Sequence, residues 1–189
     1  MLVIISGISA SGKNTIINHL MKKHKDWGGY TSYTTKPNVK RAIDNDDEGY
    51  FYVTHEEFEK KIANNDFIEY AEVHGGNYYG TDRKVLAEAM NKYSVVLNDL
   101  DVIGTQKLRD CGVDMVSIFI NVSDDNELRR RLSLRGDTED DINTRLSRAT
   151  LERSYASKYD YIIDNIDLNK SVSEIDNIIV AELAKRKNK

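Results

Sequence analysis

Short β-branched runs alternate with helical patterns along most of this chain. Leu2–Ser6, Ser94–Asn98, Met115–Val122 and Tyr159–Ile163 read as buried strands, with a weaker one over Gly29–Ser32. Between them, Lys13–His24 places Ile16, Ile17, Leu20 and Met21 on one side of a helix. Val172, Ile175, Ile178, Ile179 and Leu183 make a similar stripe near the C-terminus. Thr54 with Glu57, and Ser171 with Glu174, have the spacing of capping boxes and mark helix starts. Strands that alternate with helices predict an α/β fold, with a parallel sheet flanked by helices and right-handed crossovers. In such sheets ligands bind beyond the carboxyl ends of the strands.

Two stretches break the alternation. Residues 32–82 hold six of the eleven tyrosines, the only proline (Pro37) and an acidic run, "DNDDE". Within them "YFYV" alternates like a half-exposed strand, so this region reads as a small inserted β-rich lobe. Residues 127–150 are helical in pattern, highly charged and rich in arginine.

Composition narrows the function classes. The 189 residues suffice for one sizeable core with a small insertion. A net charge of -4 argues against a general nucleic-acid surface and leaves a local basic cluster for a small anionic ligand. Cys111 is the only cysteine, which excludes an intramolecular disulfide and fits a reducing compartment. The four histidines have no zinc-ligand spacing with it. The apolar run Leu2–Ile5 is too short for a signal peptide or a membrane span, so the expectation is a cytoplasmic protein without membrane partners.

The chemistry begins where the first strand ends. Gly7, Ile8, Ser9, Ala10, Ser11, Gly12 and Lys13 match the first seven positions of a phosphate-binding P-loop. The glycines permit backbone angles that turn successive N–H groups inward, as a nest for an anion. The following helix adds its positive end, and Lys13 supplies a full charge for the β- and γ-phosphates of a nucleotide. The next position departs from the motif. It holds Asn14 where Ser or Thr would bind Mg²⁺, and Thr15 comes one step, about 100°, further round the helix. Asn14 offers a carbonyl oxygen to the metal, directly or through water; the choice between Asn14 and Thr15 is open. Asp99, at the end of "SVVLNDLD", is the candidate carboxylate for the Mg²⁺ shell, with Asp101 two residues on.

With "SYTTKP", "EGYFYV", "FIEYAEVHGGNYYGT", "RRRLSLRG", "TRL" and "YDYIIDN" added to the P-loop and "NDLD", the chain resembles the guanylate kinase family over nearly its whole length. The segment ending in "NYYGT" is specific to that family. The resemblance implies a P-loop core of residues 1–31, 83–126 and 151–189, a GMP-binding lobe of residues 32–82 and a lid of residues 127–150. It implies the reaction ATP + GMP to ADP + GDP with Mg²⁺. Ser32, Tyr50 and Tyr79 would bind the GMP phosphate, Thr81 would contact the base, and Glu69 and Asp101 would read the guanine edge. Guanine presents N1–H and an exocyclic amine there, and ionised carboxylates are acceptors only. Asn165 would lie near the adenine.

Three departures from the family pattern bear on the site. Lys36 stands where the first arginine for the GMP phosphate is usual. The second place falls on Val39 without a gap, or on Arg41 when about two extra residues in the loop are allowed for. Lysine lacks the planar double hydrogen bond that arginine gives to phosphate. Ala10 and Ile103 replace residues that are often glycine and glutamine.

In the lid, a helix, a turn at Gly136 and a helix from near Thr138 are expected. The resemblance selects Arg131, Arg135 and Arg145 as phosphate-facing; Arg148, three residues on, would share the helix face of Arg145, although Arg129, Arg130 and Arg148 also fit a solvated, salt-bridged face. Direct in-line transfer would need Lys13, Mg²⁺, Arg135 and Arg145 to spread positive charge around the moving group, with no general base and no covalent intermediate. Two rival readings are a kinase for a different phosphorylated acceptor and a non-catalytic binding module of the same fold. Modules of that kind tend to lose the P-loop lysine and the lid arginines, which this chain retains.

Overall fold

The computed structural model describes residues 1–37, 50–73 and 76–187. Arg41, Val39 and the acidic run fall outside them. The chain opens with β1 (Leu2–Gly7), α1 (Lys13–Lys23), β2 (Trp27–Gly28), β3 (Ser32–Thr34) and β4 (Tyr50–Tyr52). Next come α2 (His55–Ala63), β5 (Phe67–Val73), β6 (Asn77–Asp82) and α3 (Arg83–Lys92). Then follow β7 (Val95–Asp99), α4 (Val102–Asp110), β8 (Met115–Asn121), α5 (Asp125–Leu134) and α6 (Glu139–Ser154). A 3₁₀ turn (Ala156–Lys158) leads into β9 (Tyr161–Asp164) and α7 (Leu168–Lys187).

Five strands form a wholly parallel sheet in the order β2-β7-β1-β8-β9. β1 is central and every one of its residues is buried. Its period-2 alternation feeds two layers. Val3 and Ile5 pack with Ile16 and Leu20 of α1 and Ile175 and Ile179 of α7. Leu2 and Ile4 pack with Leu86 and Ala89 of α3 and Leu108 of α4. A third cluster joins Ile8 and Phe119 to Leu128 and Leu132 of α5 and Ile142 and Ala149 of α6. This cluster seats α5 and α6 against the carboxyl end of the sheet.

Residues 32–82 supply a second, four-stranded sheet, β4-β3-β6-β5, with α2 against it. Phe58 of α2 stacks on Phe67 and Tyr78 and is fully buried. The Thr54–Glu57 capping box is present in full. The structure corrects several expectations. Gly29–Ser32 is not one strand: β2 joins the core sheet, β3 joins the lobe, and the chain crosses between them with Tyr30 buried. Tyr50, Phe51 and Tyr52 are all exposed, and β4 is the edge strand of its sheet among the described residues. β9 starts at Tyr161, and the Asp160 carboxylate just before it accepts from the Ser117 backbone N–H and hydroxyl. Ser171 lies inside α7 and is buried there; Asp167, not Ser171, accepts the backbone N–H bond at that helix start. A capping box not anticipated from the sequence, Thr138 with Asp141, starts α6.

β1 ends at a point of very close approach. A Cβ on Gly7 would lie 2.0 Å from the Ile120 carbonyl oxygen, and Gly7 has φ of +137°. The obstacle is backbone, so it cannot swing away. Gly7→Ala is expected to destabilise the fold by about 3 kcal/mol. That corresponds to a fall of roughly 6–12 °C in the thermal midpoint, read by calorimetry.

Candidate active site

The loop after β1 is built from backbone. Gly12 (φ +92°) starts α1 with no side-chain cap, so the first N–H groups of the helix are left for a ligand. Ala10 holds φ of +59°, the left-handed conformation in which a glycine is cheaper. Lys13 folds back over the loop, and its Nζ donates to the carbonyls of Gly7 and Ile8 at 2.9 Å each. Burial lowers the pKa of this amine, opposed by the charges of Asp99 and Glu152. Beneath the loop, buried Asn165 donates from Nδ2 to the Ser11 carbonyl at 2.7 Å. Arg131 in turn holds the Asn165 carbonyl at 2.8 Å and pairs with Glu127.

In front of the loop lies a cavity of about 260 Å³. Gly7, Ser9 and Lys13 line it from the loop, and Asp99 and Asp101 from the end of β7. The lobe contributes Ser32, Tyr50, Glu69 and Tyr79, and α6 contributes Arg145. Ten of the predicted residues therefore meet around one space. The Tyr50 and Tyr79 rings meet edge-on, 5.4 Å between centres.

Other predicted residues stand elsewhere. Ile8 is fully buried in the core beneath the loop. Asn14 and Thr15 are exposed on the first turn of α1, and neither lines the cavity. Lys36 is exposed, with its backbone N–H donating to Thr34 Oγ1, and lies outside the lining. Arg135 is exposed at the C-terminal end of α5, also outside the lining, though its charge reaches Lys13.

At the lobe end Glu69 is buried, and Thr81 Oγ1 donates to its Oε1 at 2.6 Å. Thr81 is itself fully buried and turned toward Glu69. With the Thr81 proton committed to an ionised Glu69, the contact of 3.3 Å to Tyr30 runs from the tyrosine hydroxyl to the threonine oxygen. Burial pushes the Glu69 carboxyl up to about 7; Thr81 opposes the shift and Asp101 adds to it. Asp101 caps α4 by accepting from the backbone of Ile103 and Gly104 at 2.8 Å through Oδ1. Gly104 keeps the gap between the two acids open: a Cβ there would lie 3.3 Å from Glu69 Oε2 and 3.7 Å from Asp101 Oδ1.

In α5 and α6 the arginines differ from expectation: Arg131 is taken up by Glu127 and the Asn165 carbonyl and, like Arg135, does not line the cavity. Arg129 and Arg130 do form surface pairs, with Glu139 and Glu127. Arg148 does not belong with them, because it lines the cavity and pairs with buried Glu152 at 3.0 Å. Arg145 donates to Ser9 Oγ at 2.8 Å and lies 3.6 Å from Asp137. Sequence reasoning leaned to a solvated Arg148 despite the face it shares with Arg145, and it missed Glu152, Tyr30 and Gly104. For Arg148 and Glu152 the signal was present, since Arg145, Arg148 and Glu152 fall at i, i+3 and i+7 on one helix face.

A family model described as guanylate kinase matches residues 1–182. The chain belongs to the guanylate kinase family. The guanylate kinase of Clostridium acetobutylicum is 38% identical over 183 residues, covering 96% of this chain and 86% of that protein. That of Photorhabdus laumondii is 37% identical over 182 residues, covering 96% and 87%. The crystal structure of guanylate kinase from Anaplasma phagocytophilum superposes with a TM-score of 0.75 at 31% identity, covering 97% of this chain and 86% of that one. Family membership makes the chain an ATP-dependent nucleoside monophosphate kinase.

The Glu69 environment generates a pH dependence. Between about pH 4.5 and 7 the folded protein keeps a proton that the unfolded chain has released, so this group withdraws stability as pH rises through that window. If Glu69 accepts from the N–H donors of guanine, as the resemblance implies, that binding has the opposite sign, because it needs the ionised carboxylate. GMP affinity is expected to fall by up to about tenfold per pH unit below 7. Calorimetry at pH 6 in buffers of different ionisation enthalpy should detect proton release on GMP binding. That release should shrink in Glu69→Gln; equal release from both proteins contradicts the assignment.

Proposed function

We propose that this chain transfers the γ-phosphoryl group of ATP directly to the GMP phosphate, forming ADP and GDP, within the single cavity described above. The observation that carries the reading is the composition of that cavity. One end is a P-loop with its lysine, the other holds two acids suited to guanine, and an arginine enters from α6. The two ends match two nucleotides whose phosphates must meet.

In this reading the loop N–H groups and Lys13 take the ATP phosphates. Ser32, Tyr50 and Tyr79 take the GMP phosphate, and Glu69 and Asp101 accept from guanine. Thr81 and Tyr30 keep Glu69 turned toward the base. Adenine in the same place would withhold the donors that guanine offers to the remaining oxygens of Glu69 and Asp101, which costs roughly 1–3 kcal/mol for a group left unpaired. The attacking phosphate oxygen is already ionised, so no general base is needed. Lys13 and Arg145 hold positive charge beside the transferring group, and the chemistry consists of alignment and charge cancellation. Arg135 and Asn165 act at one remove, the first by its charge near Lys13 and the second by fixing the loop through Ser11.

The donor set fits Mg²⁺ on one side. Asp99 is a hard oxygen ligand in the cavity, and Mg²⁺ commonly takes one or two carboxylates together with phosphates and water. Among the described residues no group of three or more His, Cys, Asp or Glu converges as an all-protein metal cage. Mg²⁺, when bound, offsets charge on the β- and γ-phosphates. Asp99 would hold it, while Asn14 stands on the exposed side of α1.

A coupled assay across nucleoside monophosphates tests this. GMP should be preferred to AMP and UMP, with little ATP hydrolysis when no acceptor is present. Lys13→Met should lower kcat by about 100-fold or more. Equal turnover with AMP, or ATP hydrolysis as fast without GMP as with it, overturns the assignment.

A further inference from the structure

Four carboxylates line the cavity. The reading above employs Glu69 and Asp101 at the base and Asp99 at the metal, leaving Glu152 without a role. A buried acid beside a phosphate site opposes the binding of polyanions unless it holds a cation there. Glu152 does hold one. Its Oε1 lies 3.0 Å from Arg148 Nε, with the acid side chain 9% exposed and the arginine 25%. Two features distinguish this pair from an ordinary structural bridge. Glu152 Oε2 is buried with no hydrogen-bond partner among the described residues. The approach to Arg148 is at Nε, the inner nitrogen of the guanidinium, and the residue itself lines the cavity.

The surroundings point the same way. Arg148 lines the cavity together with Lys13 and Arg145, and it stands one helical turn from Arg145 on α6. Its charge and that of Glu152 both reach Lys13, with opposite effects. Burial raises the pKa of Glu152, against the pull of Arg148, Lys13 and the Ser9 backbone.

We propose that Arg148 is a catalytic arginine that donates to phosphoryl oxygens of the bound nucleotides during transfer, and that Glu152 is the positioning residue that aims it. The guanidinium is held by Nε and presents its two Nη groups to the ligand, an arrangement that a lysine cannot copy. This inference rests on the phosphate-transfer reading of the cavity.

The test is steady-state kinetics with ATP and GMP on Arg148→Met, Arg148→Lys, Glu152→Gln, Arg148→Met/Glu152→Gln and Lys13→Met, with thermal midpoints measured for each. Arg130→Met, on the exposed face, controls for loss of one positive charge and should match the parent protein. Arg148→Met is expected to lower kcat by on the order of 10- to 100-fold, with the KM for GMP changed less than about threefold. Arg148→Lys should recover only part of that loss. Glu152→Gln should lower kcat alone but add nothing in the Arg148→Met background, the mark of an acid acting through the arginine.

If Arg148→Met retains kcat within about twofold of the parent while Lys13→Met is inactive, the inference fails and the reading of the cavity stands. If Lys13→Met is active, the reading of the cavity fails first. Should Arg148→Met not fold, Arg148→Lys decides: full kcat at an unchanged midpoint overturns the proposal, and reduced kcat at that midpoint supports it.

Discussion

The structure depends on the packing of one strand. β1 is buried on both faces, parallel to β7 on one side and β8 on the other, and it ends where Gly7 presses against the Ile120 carbonyl. Parallel pairing places the carboxyl ends of the three strands together. Asp99 thereby aligns with Ile5, and the phosphate loop opens beside it. No side chain at position 7 is compatible with that contact, so the loop begins at a fixed height above the sheet. The helices on either face follow from the alternation of Leu2, Val3, Ile4 and Ile5 between two apolar layers.

Around this fixed point the site is a problem of charge. Three cations and four carboxylates share about 260 Å³. In such confinement unpaired charges are costly, and the pairings found are only partly satisfied. Lys13 rests on carbonyls, Arg145 on a serine hydroxyl and a more distant aspartate, and Arg148 on one side of its guanidinium. Each cation is placed by a contact that leaves it facing the cavity, as the proposed phosphate binding requires.

Much of the core could be read from the chain because its signals are local. The β-branched runs, the stripe from Ile16 to Leu20 and the Thr54 capping box each depend on residues a few positions apart. The glycine-rich loop was legible for the same reason. The crossing at Gly29–Ser32 was not, because both flanking strands look alike and only distant partners assign them to different sheets. Arg148 was misplaced by a related difficulty: its i+4 partner Glu152 makes a surface pair and a buried pair look the same in sequence. The Tyr30–Thr81–Glu69 chain joins three strands' worth of sequence and has no local mark at all. Lys36 shows the limit of motif alignment, since its place in the pattern did not put its side chain at the cavity.

α6 runs unbroken from Glu139 to Ser154, through the residue-150 boundary expected between lid and core. Arg145, Arg148 and Glu152 are thus mounted on one rigid rod, tied to α5 by Arg129 through Glu139 and Asn143. A rod transmits rotation along its whole length. A tilt of that helix would move the backbone of all three positions together, at a fixed spacing along its axis. In the proposed reaction the two arginine-bearing positions would therefore approach the nucleotides together.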